Sequence, residues 1–251
     1  MRLFEPRVAA ASLSGRSDAA WARRVEPYVG AAFLGGVAVD GPTRRAASRM
    51  ADRDREEFLP DDPVGFVDRQ LDALAEADLR AGVNVRAASV DPLREVAAVC
   101  TAHDAILEIN AHCRQDEMEA VGGGEALLAD ADRLARYVRV AADTGATVGV
   151  KVRTEVDGVD LPATSRAVVD AGADLVHVDA MDSEAVVAGV ADAVGEDAWV
   201  VANNEVRDRD STLEYLRHGA DAVSVARPTD DPTVLSRVQR AVADWFLEGR
   251  A

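Results

Sequence analysis

The chain has 251 residues, 48% of them hydrophobic and only 4% aromatic, and a formal net charge of −17. That length suits one α/β domain, and acidic residues spread along the chain indicate a solvated acidic surface of the kind a high-salt (halophilic) cytoplasm favours. They argue against a broad nucleic-acid footprint, which is basic. Two cysteines, Cys100 and Cys113, exclude a disulfide framework and zinc spacing, and no apolar run reaches signal-peptide or membrane-spanning length, so the sequence reads as soluble and cytoplasmic.

Short valine- and alanine-rich runs alternate with longer segments of helical period. The runs are Val8–Leu13, Ala31–Val39, Gly82–Ala87, Ala105–Ala111, Thr147–Arg153, Leu175–Asp179, Ala198–Ala202 and Ala222–Ala226. Helices are expected over about 19–28, with Asp18 as N-cap, and over 64–77, 91–100, 126–143, 163–171, 183–194, 210–218 and 233–247. The charged stretch 44–62, with Asp52-Arg-Asp-Arg-Glu-Glu57 and Pro60-Asp-Asp-Pro63, reads as an extended loop or lid over one end of the fold. Eight such units in about 250 residues predict a parallel (β/α)8 TIM barrel, one domain over 1–251. An open doubly wound sheet would show a glycine-rich turn after its first strand, where Gly15 stands alone.

Lys151 is the single lysine among 28 basic residues. A compact ammonium on a flexible stem does what a guanidinium does not, so its retention marks a site. Val148, Val150 and Val152 alternate with Gly149, Lys151 and Arg153, which puts both cations on one strand face. The same alternation gathers Asn84 with Arg86, Glu108 with Asn110, His177 with Asp179, and Asn203 with Glu205, while the opposite faces stay apolar. Five successive strands thus carry polar pairs near their C-terminal ends, where barrel active sites sit. Buried polar groups are costly unless matched, which points to a functional pocket. The set lacks a three-histidine or histidine–carboxylate cluster, so no metal is expected, and no Gly-x-Ser-x-Gly elbow is present. Mixed amides, cations and a histidine suit a planar heteroaromatic ligand with a phosphate.

The run Glu108-Ile-Asn110-Ala-His-Cys113, followed by Gly122-Gly-Gly124-Glu-Ala-Leu-Leu128, resembles the signature of the dihydrouridine synthase family, FMN-dependent barrels that reduce uridines in tRNA. Lys151-Val-Arg153 resembles the family's Lys-x-Arg, His177 the histidine of its His-Gly-Arg, and Asn203-Asn204-Glu205 its Asn-Gly-Asp/Glu. Ala226-Arg227 resembles its Gly-Arg, and Gly15-Arg-Ser-Asp18 the Gly-Val-Thr-Asp that opens the first helix. His112, Arg114, Asn204 and Ala226 depart from the family pattern, and Arg86 stands where the family has a flavin-contacting glutamine. The chain looks most like the short archaeal relatives that lack the family's C-terminal helical domain.

The resemblance implies FMN as cofactor, NAD(P)H as reductant, and a uracil-type ring as substrate, in tRNA or as a free pyrimidine. It implies that Lys151 and His177 contact the flavin ring and ribityl chain, with Arg86 beside them. Asn203, Glu205, Ala226 and Arg227 would line the ribityl and phosphate end, and Asn110 and Arg153 would face the pyrimidine. Hydride would pass from flavin N5 to C6, and Cys113 would protonate C5 as general acid. A reading of another class is a non-catalytic barrel that binds a phosphorylated ligand.

Overall fold

Valine-rich strands that alternate with helices bury both faces only in a covered parallel sheet. The computed structural model, which describes residues 3–249, closes eight such strands into a barrel in sequence order. The strands are β1 (Val8–Ala10), β2 (Ala31–Ala38), β3 (Arg80–Arg86), β4 (Ile106–Asn110), β5 (Thr147–Arg153), β6 (Leu175–Asp179), β7 (Trp199–Asn203) and β8 (Ala222–Val225). All neighbours are parallel, and β1 closes the ring on β8 with Ala9 opposite Ser224.

The helices are α1 (Ala19–Val25), α2 (Gly41–Ala51), α3 (Pro63–Asp72), α4 (Val90–Ala102), α5 (Asp116–Glu119), α6 (Glu125–Leu128), α7 (Ala131–Ala142), α8 (Leu161–Asp170), α9 (Val186–Val194), α10 (Arg209–Arg217) and α11 (Pro232–Glu248). Asp18 caps α1 by accepting from the Trp21 amide at 2.7 Å, as its sequence position suggested. None of the helices among the described residues is long and apolar enough to cross a membrane.

The stretch 44–62 differs from expectation. Its first part is helical, because Asp40 and Thr43 form a reciprocal capping box, Pro42 sits in the first turn, and Ala46, Ala47 and Met50 bury a narrow stripe. Only 52–62 is a strap without helix, and it is fastened to the barrel by a parallel bridge from Phe58 to Val37 and by the packing of Phe58 on Phe66. The long helix expected over 126–143 is broken at Asp130, whose carboxylate caps a new start at α7 by accepting from Arg133 N.

Outward-facing strand residues such as Val83, Leu107, Val150, Val176 and Val200 form the main core with the helices. Inside the barrel the strands make two layers. The lower holds Phe33, Ile106, Leu175, Trp199 and Val201. Gly82 makes room for one of these rings, since a Cβ there would lie 2.4 Å from the Phe33 ring. The upper holds Asn84, Glu108, Lys151, His177 and Ser224, all buried.

Candidate active site

A cavity of about 770 Å³ opens above the upper layer, at the C-terminal ends of the strands. Of the residues singled out in the sequence, Cys113, Lys151, Asn203, Ala226, Arg227, Arg86, Asn110 and Arg153 all line it. Seven cationic side chains and three carboxylates do so, an inversion of the chain's overall charge. Low-dielectric walls concentrate such a field on an anion. A second cavity, about 850 Å³, lies between Phe4, Leu74, Arg80 and His103 at the other end of the barrel and contains none of these groups.

His177 does not line the upper cavity; it lies fully buried in its floor. Its Nδ1 is 2.6 Å from Glu108 Oε1 and its Nε2 is 2.7 Å from Ser224 Oγ. The other Glu108 oxygen accepts from Asn84 Nδ2 at 2.6 Å, and Asn84 Oδ1 accepts from Asn110 Nδ2 at 2.8 Å. Asn203 Nδ2 donates to Ser224 Oγ. Six strand-end side chains thus form one satisfied network, which is what makes a buried carboxylate tolerable.

Burial alone would raise the Glu108 pKa, but the charges of His177 and Lys151 and the hydrogen bonds from His177 and Asn84 outweigh it and hold the acid below its ordinary value. Burial lowers the His177 pKa, only partly opposed by Glu108. The geometry is that of a carboxylate accepting from the imidazole Nδ1–H. His112 is held well below its ordinary value by burial and then by Lys151, His177, Arg86 and Arg153.

Lys151 is 3% exposed, yet its ammonium has no hydrogen-bond or ion-pair partner among the described residues. A buried cation without a partner is unfavourable, so its contacts must come from what enters the cavity. Arg153 donates Nη1 to Glu125 at 2.8 Å and keeps a buried Nε without partner, as does Asp179 its Oδ1.

Cys113 is carried on the turn after β4. Asn110 Oδ1 accepts from its amide at 3.1 Å and from the His112 amide at 3.3 Å. The thiol side packs on Ala46, Met50 and Met118. The glycine cluster supports this turn rather than lining the cavity: Gly124 has φ +57, and a Cβ on it would lie 2.1 Å from the Cys113 carbonyl oxygen. A side chain there is excluded by both backbone conformation and space. Cys100, by contrast, is buried in α4, where burial pushes its thiol to about 12.

Sequence reasoning missed Glu57, which lay in a run read only as a loop or lid. Its carboxylate is buried and accepts from Arg86 Nη1 at 2.6 Å. Arg86 also donates to Ser14. The strap reaches this position because Gly15, at φ +68, lets the Glu56 backbone approach to where a Cβ would stand 2.3 Å away. Arg53 ties the same strap to Glu117 at 2.7 Å, beyond the cysteine turn. Phe58, an aromatic inside a charged run, was the available signal. The joining role of Glu108 was also missed; it had shown only its inward register.

At the β7 and β8 ends the arrangement is looser. Asn204 adopts φ +111, the region a glycine takes, and its Nδ2 donates to Met181 O at 2.6 Å. Glu205 is not brought to the cavity; its half-exposed carboxylate pairs with Arg207. Ala226, at φ −99, lies outside the left-handed region that favours glycine. Among the described residues no group of His, Cys, Asp or Glu could hold a metal ion.

A family model described as "Dihydrouridine synthase (Dus)" matches residues 68–247. The uncharacterized protein MJ0144 of Methanocaldococcus jannaschii is 24% identical over 235 residues, covering 89% of this chain and 89% of that protein. The structure of thiamine phosphate pyrophosphorylase from Pyrococcus furiosus aligns with a TM-score of 0.56 and 13% identity, over 95% of this chain and 96% of that one, a likeness of fold alone.

Proposed function

Because the chain belongs to the dihydrouridine synthase family, we propose that it is an FMN-dependent reductase of the C5=C6 bond of a uracil-type ring. The observation that carries this reading is the buried, unpartnered Lys151 ammonium in the same cavity as the Cys113 thiol. The residues present fit the cofactor. The cavity has the size of a ligand site, its lining is cationic, and Asn204 adopts φ +111, a conformation that glycine takes readily.

FMN, when bound, supplies the hydride that reduces the ring. Lys151 meets its polar edge, Asn203, Ala226 and Arg227 hold the ribityl and phosphate end, and His177 with Arg86 supports the floor and rim. Arg153 and Asn110 orient the pyrimidine, and Cys113 delivers the proton to C5. The strap 52–62 excludes water from this step by covering the mouth. Glu205, outside the cavity, serves the rim. NAD(P)H is the proposed reductant.

A free pyrimidine is the substrate favoured over tRNA by one observation. Outside its cationic cavity the chain is strongly acidic, with a net charge of −17 and with Glu56 and Asp230 exposed beside the lining Arg16, a surface that repels a polyphosphate backbone while admitting a small ligand.

The visible absorbance of the purified chain tests the reading first. A flavin spectrum, or its appearance on adding FMN, is expected, and a colourless protein that takes up none would sink it. Reduced protein is then offered uridine and unmodified tRNA; dihydrouridine in tRNA alone would move the substrate from small molecule to RNA.

A further inference from the structure

The hydrogen bonds in the cavity floor have a fixed direction. An ionised Glu108 only accepts, so Asn84 must turn Nδ2 toward it and His177 must turn an Nδ1–H toward it. Asn84 then has only its carbonyl to offer Asn110 Nδ2. From the other side, the amides of His112 and Cys113 only donate, and both fall on Asn110 Oδ1. The two constraints agree, and neither allows the Asn110 amide to turn over. His112 Nδ1 lies 3.3 Å from that same oxygen. A nitrogen facing an oxygen that can only accept must carry the proton. Nε2 is therefore the bare nitrogen. It has no partner among the described residues, and it belongs to a side chain that lines the cavity next to Cys113.

We propose that His112 is a specificity-determining residue that presents its Nε2 lone pair as acceptor for an N–H of the substrate ring, with Asn110 as the positioning residue that fixes the tautomer. Assigning that N–H to a uracil-type ring rests on the proposed function; the direction of the network does not. The chemistry is discriminating. Uracil carries a hydrogen at N3, whereas N3 of cytosine is itself an acceptor. A cavity lined by seven cations offers donors to the carbonyls of either ring, and a lone pair placed against N3 selects the ring that carries its hydrogen there. Two buried carboxylate oxygens among the described residues also lack a hydrogen-bond partner: Glu57 Oε1, in the strap, does not line the cavity, and Asp179 Oδ1 lies at the end of β6, two strands from the cysteine turn.

Nitrogen NMR of the whole chain, labelled at its four histidines and assigned through His112→Gln and His177→Gln, tests this directly. A neutral His112 with its proton on Nδ1 is expected near pH 7, and that preference is expected to be lost in Asn110→Leu. A proton on Nε2, or a tautomer indifferent to Asn110, would overturn the proposal. FMN uptake is recorded next by absorbance, so a failure of the flavoenzyme reading is seen separately and leaves the tautomer result standing. Uridine added to the FMN-loaded protein is expected to shift His112 Nε2, while 3-methyluridine and cytidine leave it in place. Equal responses, or none, would remove His112 as the acceptor. His112→Phe is expected to weaken uridine about tenfold, the worth of one hydrogen bond, and His112→Gln, whose carbonyl still accepts, to retain most of the affinity. Unchanged binding in the phenylalanine variant would overturn the assignment.

Discussion

The same eight strands build two interior layers of opposite chemistry. Below, Phe33, Ile106, Leu175, Trp199 and Val201 fill the barrel. Above, two residues further along each strand, the inward positions carry Asn84, Glu108, Lys151, His177 and Asn203. Both sets obey the alternation of a pleated strand, and both are buried. The lower layer needs only volume, and apolar groups of any shape that pack will serve. The upper layer needs partners, and it has them through Glu108 except at Lys151. Burial therefore does not separate structure from function in this barrel; an unpaired group among paired ones does.

Damage to the two layers should separate cleanly. Cys113→Ala is expected to give the largest effect, about 10²–10⁴-fold in turnover, the range for loss of general acid catalysis. Flavin content should be unchanged, since the thiol packs on Met50 and Met118 and no other assigned group leans on it. Pre-steady-state reoxidation of the reduced flavin by substrate is the measurement, and full activity would take Cys113 out of the chemistry. Ile106→Ala, in the lower layer, should act the other way. It is expected to cost about 2–5 kcal/mol in denaturant unfolding, as buried large-to-small changes do, while the folded fraction binds FMN with the parent's affinity.

Lys151→Met joins the two cases. FMN affinity should fall about 10–100-fold, the worth of a hydrogen bond to a charged group. Stability should hold or rise, because a buried cation with no partner is replaced by an apolar chain of similar length. A clear loss of stability would mean that the ammonium serves the carboxylate of Glu108 more than any ligand.

Most of this division was legible in the sequence, because a period of two is a strong signal and the polar pairs fell in register on five strands. The barrel followed from it, as did Asn84, Arg86, Asn110, Lys151, Arg153, Asp179 and Asn203 of the cavity's lining, whereas Cys113 and Arg227 came only with the family resemblance and Asp18 with its place before the first helix. What was not legible depended on contacts distant in the chain. Glu57 became buried only because Gly15 and Phe58 bring the strap down onto the rim. The helix Gly41–Ala51 was hidden by three arginines and by a stripe of small side chains, although Asp40 and Thr43 held its capping signal. His177 was seen to face inward, but depth along the strand, not direction, decides that it forms the floor rather than the wall. Glu205, two residues past the end of β7, no longer follows strand alternation at all.

Acid should unsettle the upper layer before the lower. Glu108 has a folded pKa below its unfolded value, so its stabilisation is present above about 4.5 and is lost as pH falls through the folded value. His177 and His112 are also lowered from 6.5. The unfolded chain takes up protons there before the folded one does, so stability declines as pH falls below about 6.5. Each histidine contributes at most about 1.4 kcal/mol per pH unit. Urea unfolding between pH 8 and 5 should show a plateau and then this slope, made shallower by His112→Gln. A slope unaffected by that change would place the acid sensitivity outside the cavity.

The smallest expected effect bears on the looser β7 end, where the comparison is between backbone and side chain. Asn204 holds φ +111 and offsets that conformation with its bond to Met181 O. Asn204→Gly removes both the strain and the bond, and the two losses are similar in size, so stability should change by less than about 1 kcal/mol. Asn204→Ala keeps the strain and loses the bond, which should cost about 1–3 kcal/mol. If the family's glycine served the cofactor's phosphate through backbone shape, Asn204→Gly leaves FMN affinity within a few-fold while Asn204→Ala, forced toward an ordinary φ, weakens it. Equal loss in both variants would instead make the asparagine side chain the group that this chain has substituted for close backbone approach.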